Sequence, residues 1–404
     1  MKRLAIAVVA ALILPTPLQA AEKSPELQVS TNFPGGSGEV ESIDQASRTI
    51  RIKPTAHPDR GWDCWWCFKV SGIKPGETLN IDLGGGKEGA SFALADQATF
   101  TIDGKTWLHT EPGKKEQNRI VYQQRIDATE AYFAWGPPFT GDDATALIAQ
   151  AVKKCKQAEA FELCRSAGNR PVVGLHIAPA EKTAAPKHGI WITARQHAWE
   201  SGGSWVCRGL VEWLVSDDPH AIALRNQSEF HIIPIVDIDN VTLGAGGKEE
   251  PPEDHNRDWT DKPHHPAVAA LQREMLRANP QSQLQMYIDL HNPSPGDKSS
   301  YFFISPRSIL SEAGWTNIDR FLKIAQIEMT GPLGFHGEFR ESGPNYDARW
   351  KQIGKNWVTL HTTNPVVSVT LETAWNTPAS TAEGYQNVGR QLGMAIERYF
   401  SQSP

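Results

Sequence analysis

The stretch Gly189-Ile-Trp-Ile-Thr-Ala-Arg-Gln-His-Ala-Trp-Glu-Ser-Gly-Gly-Ser-Trp205 decides the fold. Its first six residues form an apolar run of the kind buried on both faces of a sheet, and Ser204 to Val215 repeats apolar residues at helical spacing. A buried strand passing through a short polar loop into a helix is half of a βαβ unit. Three later runs have the same character: Phe230-His-Ile-Ile-Pro-Ile-Val236, Gln285-Met-Tyr-Ile-Asp-Leu290 and Val366-Val-Ser-Val-Thr-Leu371. Helical patterns at Pro266 to Ala278, Asn317 to Met329 and Ala382 to Phe400 lie between or after them. The expectation is an α/β fold with a mixed, mainly parallel sheet flanked by helices.

Upstream the character changes. Thr49-Ile-Arg-Ile-Lys53, Trp65-Trp-Cys-Phe-Lys-Val70, Leu79-Asn-Ile-Asp-Leu83, Ala98-Thr-Phe-Thr-Ile102 and Ala131-Tyr-Phe-Ala-Trp135 are short β-rich runs separated by Gly, Pro and Asp clusters. This spacing predicts an antiparallel β-sandwich. A helical stretch from Asp143 to Lys156 marks the change, so the expected units are 21–142 and 143–404. A length of 404 residues accommodates two or three such domains. The 40 Lys plus Arg against 46 Asp plus Glu leave a net charge of −6, which provides no electrostatic footprint for nucleic acid.

Residues 1–20 begin with Lys2 and Arg3, continue apolar from Leu4 to Leu14 and end in Pro15-Thr-Pro-Leu-Gln-Ala20. This reads as a cleavable signal peptide, too short and too Pro-rich for a membrane span. A periplasmic or secreted product with no membrane insertion is expected. Export permits disulfides, and of the five Cys, Cys155 and Cys164 are the expected pair, stapling a connector. Cys64 and Cys67 read as strand residues around Trp65-Trp66, and Cys207 as a small core residue of a helix.

Each central run is followed by polar groups: His197 and Glu200, Asp237 and Asp239-Asn240, His291-Asn292, and Glu372. Open α/β sheets bind ligands outside the carboxyl ends of their strands, so His197, Glu200, His291 and Glu372 should meet at one crevice. Two imidazoles and a carboxylate make a catalytic zinc site with one open position, and a further carboxylate can act as general base. H-x-x-E alone carries little information; its place between a buried strand and a Gly-Gly-Ser helix start gives it weight. Arg257, beside Asn256 in Asp254-His-Asn-Arg-Asp-Trp259, offers a planar guanidinium for a substrate carboxylate.

These residues resemble the funnelin-type zinc carboxypeptidases, in particular the cytosolic-carboxypeptidase-like branch with its preceding β-sandwich. The resemblance rests on Ala194-Arg-Gln-His-Ala-Trp-Glu200, Pro234-Ile-Val-Asp-Ile-Asp-Asn-Val241, His255-Asn-Arg-Asp-Trp259, Asp289-Leu-His-Asn292 and Thr370-Leu-Glu-Thr373, with aromatic-biased support from Trp65 to Val70 and Ala131 to Pro138. It implies one zinc ion per chain on His197, Glu200 and His291, a terminal carboxylate held by Asn256 and Arg257, and Glu372 as the base. The branch usually has a Gly between His and Glu, where this chain has Ala198-Trp199. It also carries an Arg shortly before the Asn-Arg pair, and here Lys248 is the nearest cation. Lys248 can polarise the scissile carbonyl as a point charge or, after the glycine-rich Gly244 to Gly247, simply be solvated. The phenolic donor of digestive relatives is left unassigned, with Tyr346 and Trp350 in the right part of the chain.

The function these expectations describe is an exported metallocarboxypeptidase acting on peptide or protein C-termini. Two alternatives stand beside it: a zinc amidase or carboxypeptidase for peptidoglycan stem peptides, and a degenerate binding protein that uses its Trp-rich first part to hold a peptide or carbohydrate.

Overall fold

The computed structural model describes residues 25–87, 89–179, 188–278, 284–363 and 365–402. The expected signal peptide lies outside the described residues. Two five-stranded sheets come first. One has the order β1 (Gln28–Ser30), β4 (Cys67–Ser71), β10 (Glu130–Ala134), β6 (Thr99–Thr101), β7 (Leu108–His109) and is antiparallel throughout. The other runs β2 (Glu39–Asp44), β3 (Thr49–Lys53), β5 (Glu77–Gly84), β9 (Arg119–Ile126), β8 (Lys114–Glu116). Here β3 and β5 pair in parallel, an exception to the expected antiparallel pattern. Phe68, Phe133 and Tyr122 pack with Trp66 between the sheets, and the indole of Trp66 donates to Ala93 O in the short helix α1 (Ala90–Ala93).

After α2 (Gly141–Lys154) comes an eight-stranded sheet of order β11 (Ala158–Arg165), β12 (Pro171–Ile177), β14 (Ser228–Ile233), β13 (His188–Ala194), β15 (Leu284–His291), β18 (Val367–Glu372), β16 (Ser300–Ile304), β17 (Phe335–Glu341). The four central strands β14, β13, β15 and β18 are parallel, and β13, β15 and β18 are buried almost from end to end. Helix α2 carries a reciprocal capping box between Thr140 and Asp143, so the change of architecture has a hard local start signal.

The expected Cys155–Cys164 staple is not formed; all five thiols are free. Residues 156–163 are not a loose connector, because Ala158–Arg165 is the edge strand β11. Ala158 N donates to Cys155 O, so Cys155 sits one turn from the start of this strand, and the six steps from Ala158 to Cys164, about 20 Å at about 3.3 Å per residue, carry the second thiol well beyond the Cα separation a disulfide tolerates. Cys67 begins β4 and Cys207 lies inside α3 (Ser201–Leu214), both buried as expected; burial pushes the Cys67 thiol up to about 12.

The remaining helices are α4 (Pro219–Gln227), α5 (Ile238–Leu243), α6 (Pro266–Ala278), α7 (Glu312–Glu328), α8 (Gly354–His361) and α9 (Ala382–Ser401). No helix among the described residues is long and apolar enough to cross a membrane. Helix α3, which carries the end of the H-x-x-E segment into the core, lies unusually close to α9. A Cβ on Gly209 would sit 2.0 Å from Gln386 O, and one on Gly389 would sit 1.9 Å from Val206 O. Only glycines allow the two backbones to touch. Gly389→Ala is expected to cost about 1–3 kcal/mol through overpacking, seen as a lower urea midpoint with an unchanged m-value.

Candidate active site

The site is built where β13, β15 and β18 end. Past Ala194 the chain turns through Arg195 in the left-handed region (φ 61°), an uncommon conformation for a residue with a Cβ. The turn is held by the buried Arg195 guanidinium, which donates to Phe139 O and Ala198 O. It aims His197 inward and leaves Glu200 at the N-cap of α3. Glu200 makes no capping bond; its carboxylate turns to the imidazoles, with Oε1 2.8 Å from His197 Nδ1 and Oε2 2.6 Å from His291 Nδ1. The donor atoms of His197, Glu200 and His291 all lie within 4.8 Å of one another, and all three side chains are buried.

Both imidazoles are supported from behind. His291 Nε2 lies 2.6 Å from Asp289 Oδ2, and His197 Nε2 lies 3.4 Å from Asp254 Oδ1. A carboxylate on the outer nitrogen fixes ring orientation and leaves Nδ1 as the ligand atom. Asp289 is held in turn by Thr193 and Gln196, and Gln196 accepts from the indole of Trp259. Two imidazole nitrogens and one carboxylate oxygen suit zinc with an open position. The buried acids Glu200, Asp254, Asp289 and Glu372 call for positive charge beyond that of Arg257 and Lys248. Burial alone would raise the pKa of Glu200, but His197 and His291 outweigh it and hold the carboxyl at about 2.

Glu372 stands directly across from His291 in the parallel β15–β18 pair. It is buried, and its Oε2 has no hydrogen-bond partner among the described residues. Burial raises its pKa to about 7, with His291 lowering it and Glu200 adding to the rise. Such a group sits where general acid–base catalysis is most effective.

Arg257 is buried and oriented by Asp347, 2.6 Å from its Nε, and by Asn256 O, 2.9 Å from Nη1. The Asn256 side chain is held within the same crevice: its Oδ1 accepts from Gly354 N at 2.9 Å and its Nδ2 lies 3.3 Å from His291 Nε2. The Arg257 guanidinium lies over the ring of Tyr346, 5.9 Å from its centroid, and Tyr346 is half exposed, which brings a phenol beside the guanidinium.

Lys248 is neither solvated nor on a slack loop. Its ammonium lies 3.3 Å from Asp254 Oδ2 and 3.1 Å from Glu249 Oε1, above the ring of Trp62. The glycines before it serve close approach: Gly247 N donates to Arg60 O, Trp62 N donates to Lys248 O, and a Cβ on Gly246 would meet Trp62 O at 2.1 Å. The first part of the chain thereby forms one wall of the site. Ala198-Trp199 has a similar use, since Trp199 packs edge-on against Trp135 and Phe92 of the first part and against Trp375.

Asp254, Asp289, Asp347, Arg195 and Gln196 are the supporting residues that the reading of the sequence did not assign. Asp254 and Asp289 were visible in the segments already singled out; a carboxylate two or three residues from a candidate ligand is their only signal. Asp347 has none, because it reaches Arg257 across 90 residues.

The sheet and the donor set define an α/β protein with a zinc-type site at its strand ends. The pattern described as zinc carboxypeptidase matches residues 145–267, and the one described as cytosolic carboxypeptidase N-terminal domain matches residues 29–135. The chain thus carries a zinc carboxypeptidase domain preceded by a cytosolic carboxypeptidase N-terminal domain. It is 33% identical over 309 residues to cytosolic carboxypeptidase 6 of Mus musculus, covering 69% of this chain and 56% of that protein. With cytosolic carboxypeptidase 2 of Danio rerio it shares 25% identity over 258 residues, 57% of this chain and 36% of that one. The chain thus spans only about a third to a half of the length of these curated relatives. A solved metallo-carboxypeptidase from Burkholderia cenocepacia has the same fold, with a TM-score of 0.80, 20% identity and coverage of 93% of this chain and 99% of the other.

The backing carboxylates set a testable dependence. Asp289→Asn is expected to weaken zinc binding about 10- to 100-fold in a chelator competition, with the folded state retained.

Proposed function

We propose that this protein is an exported zinc-dependent metallocarboxypeptidase that removes the last residue of a peptide or protein chain. The observation that carries this reading is the shared crevice of the His197–Glu200–His291 triad, the buried and unpaired Glu372 across from His291, and the pre-oriented Arg257. One catalytic zinc ion per chain would be held by His197, Glu200 and His291, where it would lower the pKa of a bound water to about 7 and polarise the scissile carbonyl.

The chain's own residues do the rest. Arg257, locked by Asp347, binds the free terminal carboxylate through two charge-assisted hydrogen bonds and so selects the last peptide bond. Glu372 takes a proton from the attacking water and delivers it to the leaving amine, which its position in a dry pocket favours. Tyr346, beside Arg257, offers a phenolic donor to the terminal residue. Lys248 contributes through Asp254, holding the carboxylate behind His197, and its charge adds to the field at the carbonyl.

Glu372→Gln is expected to lower kcat by at least about 10²-fold while keeping zinc content unchanged. Arg257→Lys should raise KM for free peptides and leave the slow turnover of C-terminally amidated ones unaltered. Equal activity of the Gln variant and wild type would reject the base, and muropeptide digests followed by mass spectrometry would show whether stem peptides are substrates.

Export is part of the same proposal, supported by the composition of residues 1–20. Terminal sequencing of the protein recovered from the periplasm is expected to begin near Ala21; a chain retaining Met1 in the cytoplasm would overturn this.

A further inference from the structure

Among the described residues, two more His–carboxylate groups stand outside the triad. Glu250–His255–His265 borders Asp254 and Asn256, and its Glu250 already accepts from Arg60 and Asn240, so it belongs to the scaffold of the active site. The second group lies elsewhere. His176 on β12 and His231 on β14 are direct cross-strand partners, and Glu229 is two residues before His231 on the same face. Their donor atoms all lie within 4.8 Å of one another.

The cross-strand pairing explains how the group forms. Glu159, His176, His231 and Trp191 occupy one row across β11, β12, β14 and β13. Gly189, opposite Glu229, supplies no side chain to crowd it. His231 lies flat on Trp191, with centroids 4.3 Å apart and planes at 6°, and Phe161 meets its other side edge-on. This fixes the ring, yet neither of its nitrogens makes a hydrogen bond among the described residues. The ring is half-buried and lines an open cavity, so its nitrogens are within reach of a ligand.

His176 Nε2 and Glu229 Oε1 are 2.8 Å apart, the same spacing as His197 Nδ1 and Glu200 Oε1 in the triad. Ligands of a tetrahedral ion with bonds of about 2.0–2.1 Å lie about 3.3 Å apart, so a small opening of this pair would admit one. The group faces a cavity of about 500 Å³ between the sheet and α6, which gives an ion a route in. Glu274 of α6 is already taken by Arg273 and Arg277, leaving the fourth position to Glu159 or a water.

We propose that His176, Glu229 and His231 form a second zinc site, separate from the catalytic triad. Two imidazoles and a carboxylate favour zinc over calcium or magnesium, which take oxygen ligands. The site ties the antiparallel hairpin β11–β12 to the parallel core, so its role is to pin a sheet edge, not to act on substrate. It stands on residues that the peptidase reading does not use.

Protein reconstituted with zinc and dialysed free of excess ion is expected to hold two zinc ions per chain by elemental analysis. Glu229→Gln, which keeps the side chain's size, and His231→Ala should each hold one, with peptidase kcat/KM within about twofold of wild type. Glu200→Gln should lose the other ion and keep this one. Equal zinc content in wild type, Glu229→Gln and His231→Ala would overturn the proposal. If Glu200→Gln matches wild type while Glu229→Gln holds one fewer, the edge site stands and the triad reading fails.

Discussion

The arrangement depends on one constraint: ionisable groups buried at the end of a sheet must be paired and hydrogen-bonded, or the fold cannot hold them. His197, Glu200, His291, Asp254, Asp289 and Glu372 share a small, dry volume. Each but Glu372 has its geometry set by neighbours. Glu200 is shared between two imidazoles, each imidazole is backed by an aspartate, and Asp289 is held by Thr193 and Gln196. Among the described residues Glu372 Oε2 and His197 Nε2 make no hydrogen bond, but His197 Nε2 still faces Asp254 at 3.4 Å, whereas no ion pair holds Glu372.

The same constraint explains the first part of the chain. The loop that carries Lys248 and leads to Asp254 cannot be set by β14 alone. It is pinned by backbone hydrogen bonds to Arg60 and Trp62, with glycines allowing the contact. Trp199 packs against Trp135, Phe92 and Trp375 and so joins the two parts directly beside the candidate metal site. The β-rich part is therefore a wall of the site as well as a fold of its own.

Charged partners also limit specificity. Arg349 pairs with Glu249 and Glu253, and Lys298 pairs with Asp96 of the first part, so neither is a free cation awaiting an acidic side chain. Lys355 is buried and, among the described residues, has no carboxylate partner. Its ammonium donates to Ile304 O, Ser342 and Asn356, tying the ends of β16 and β17 to α8 beneath the crevice.

The central strands and most long helices were legible because burial on both faces writes an unbroken apolar run, and amphipathic helices write a 3.6-residue period. β13, β15, β18, α6 and α9 fall within a few residues of their expected places. The strand-end rule then gathered His197, Glu200, His291 and Glu372 without any contact information. The edge strands β11 and β17, and β12 next to β11, were not legible, since exposed positions break the apolar run, and misreading β11 as a connector produced the disulfide that its extended length forbids. The sequence by itself determined the class of fold and the residues that make up the candidate metal site, because both follow from local patterns of burial and from where strands end. Only the tertiary structure decided that Asp347 orients Arg257, that Lys248 serves Asp254, and that His176 and His231 face each other. Those facts depend on contacts between segments tens of residues apart, and a contact across a folded chain leaves no periodic mark on the chain itself.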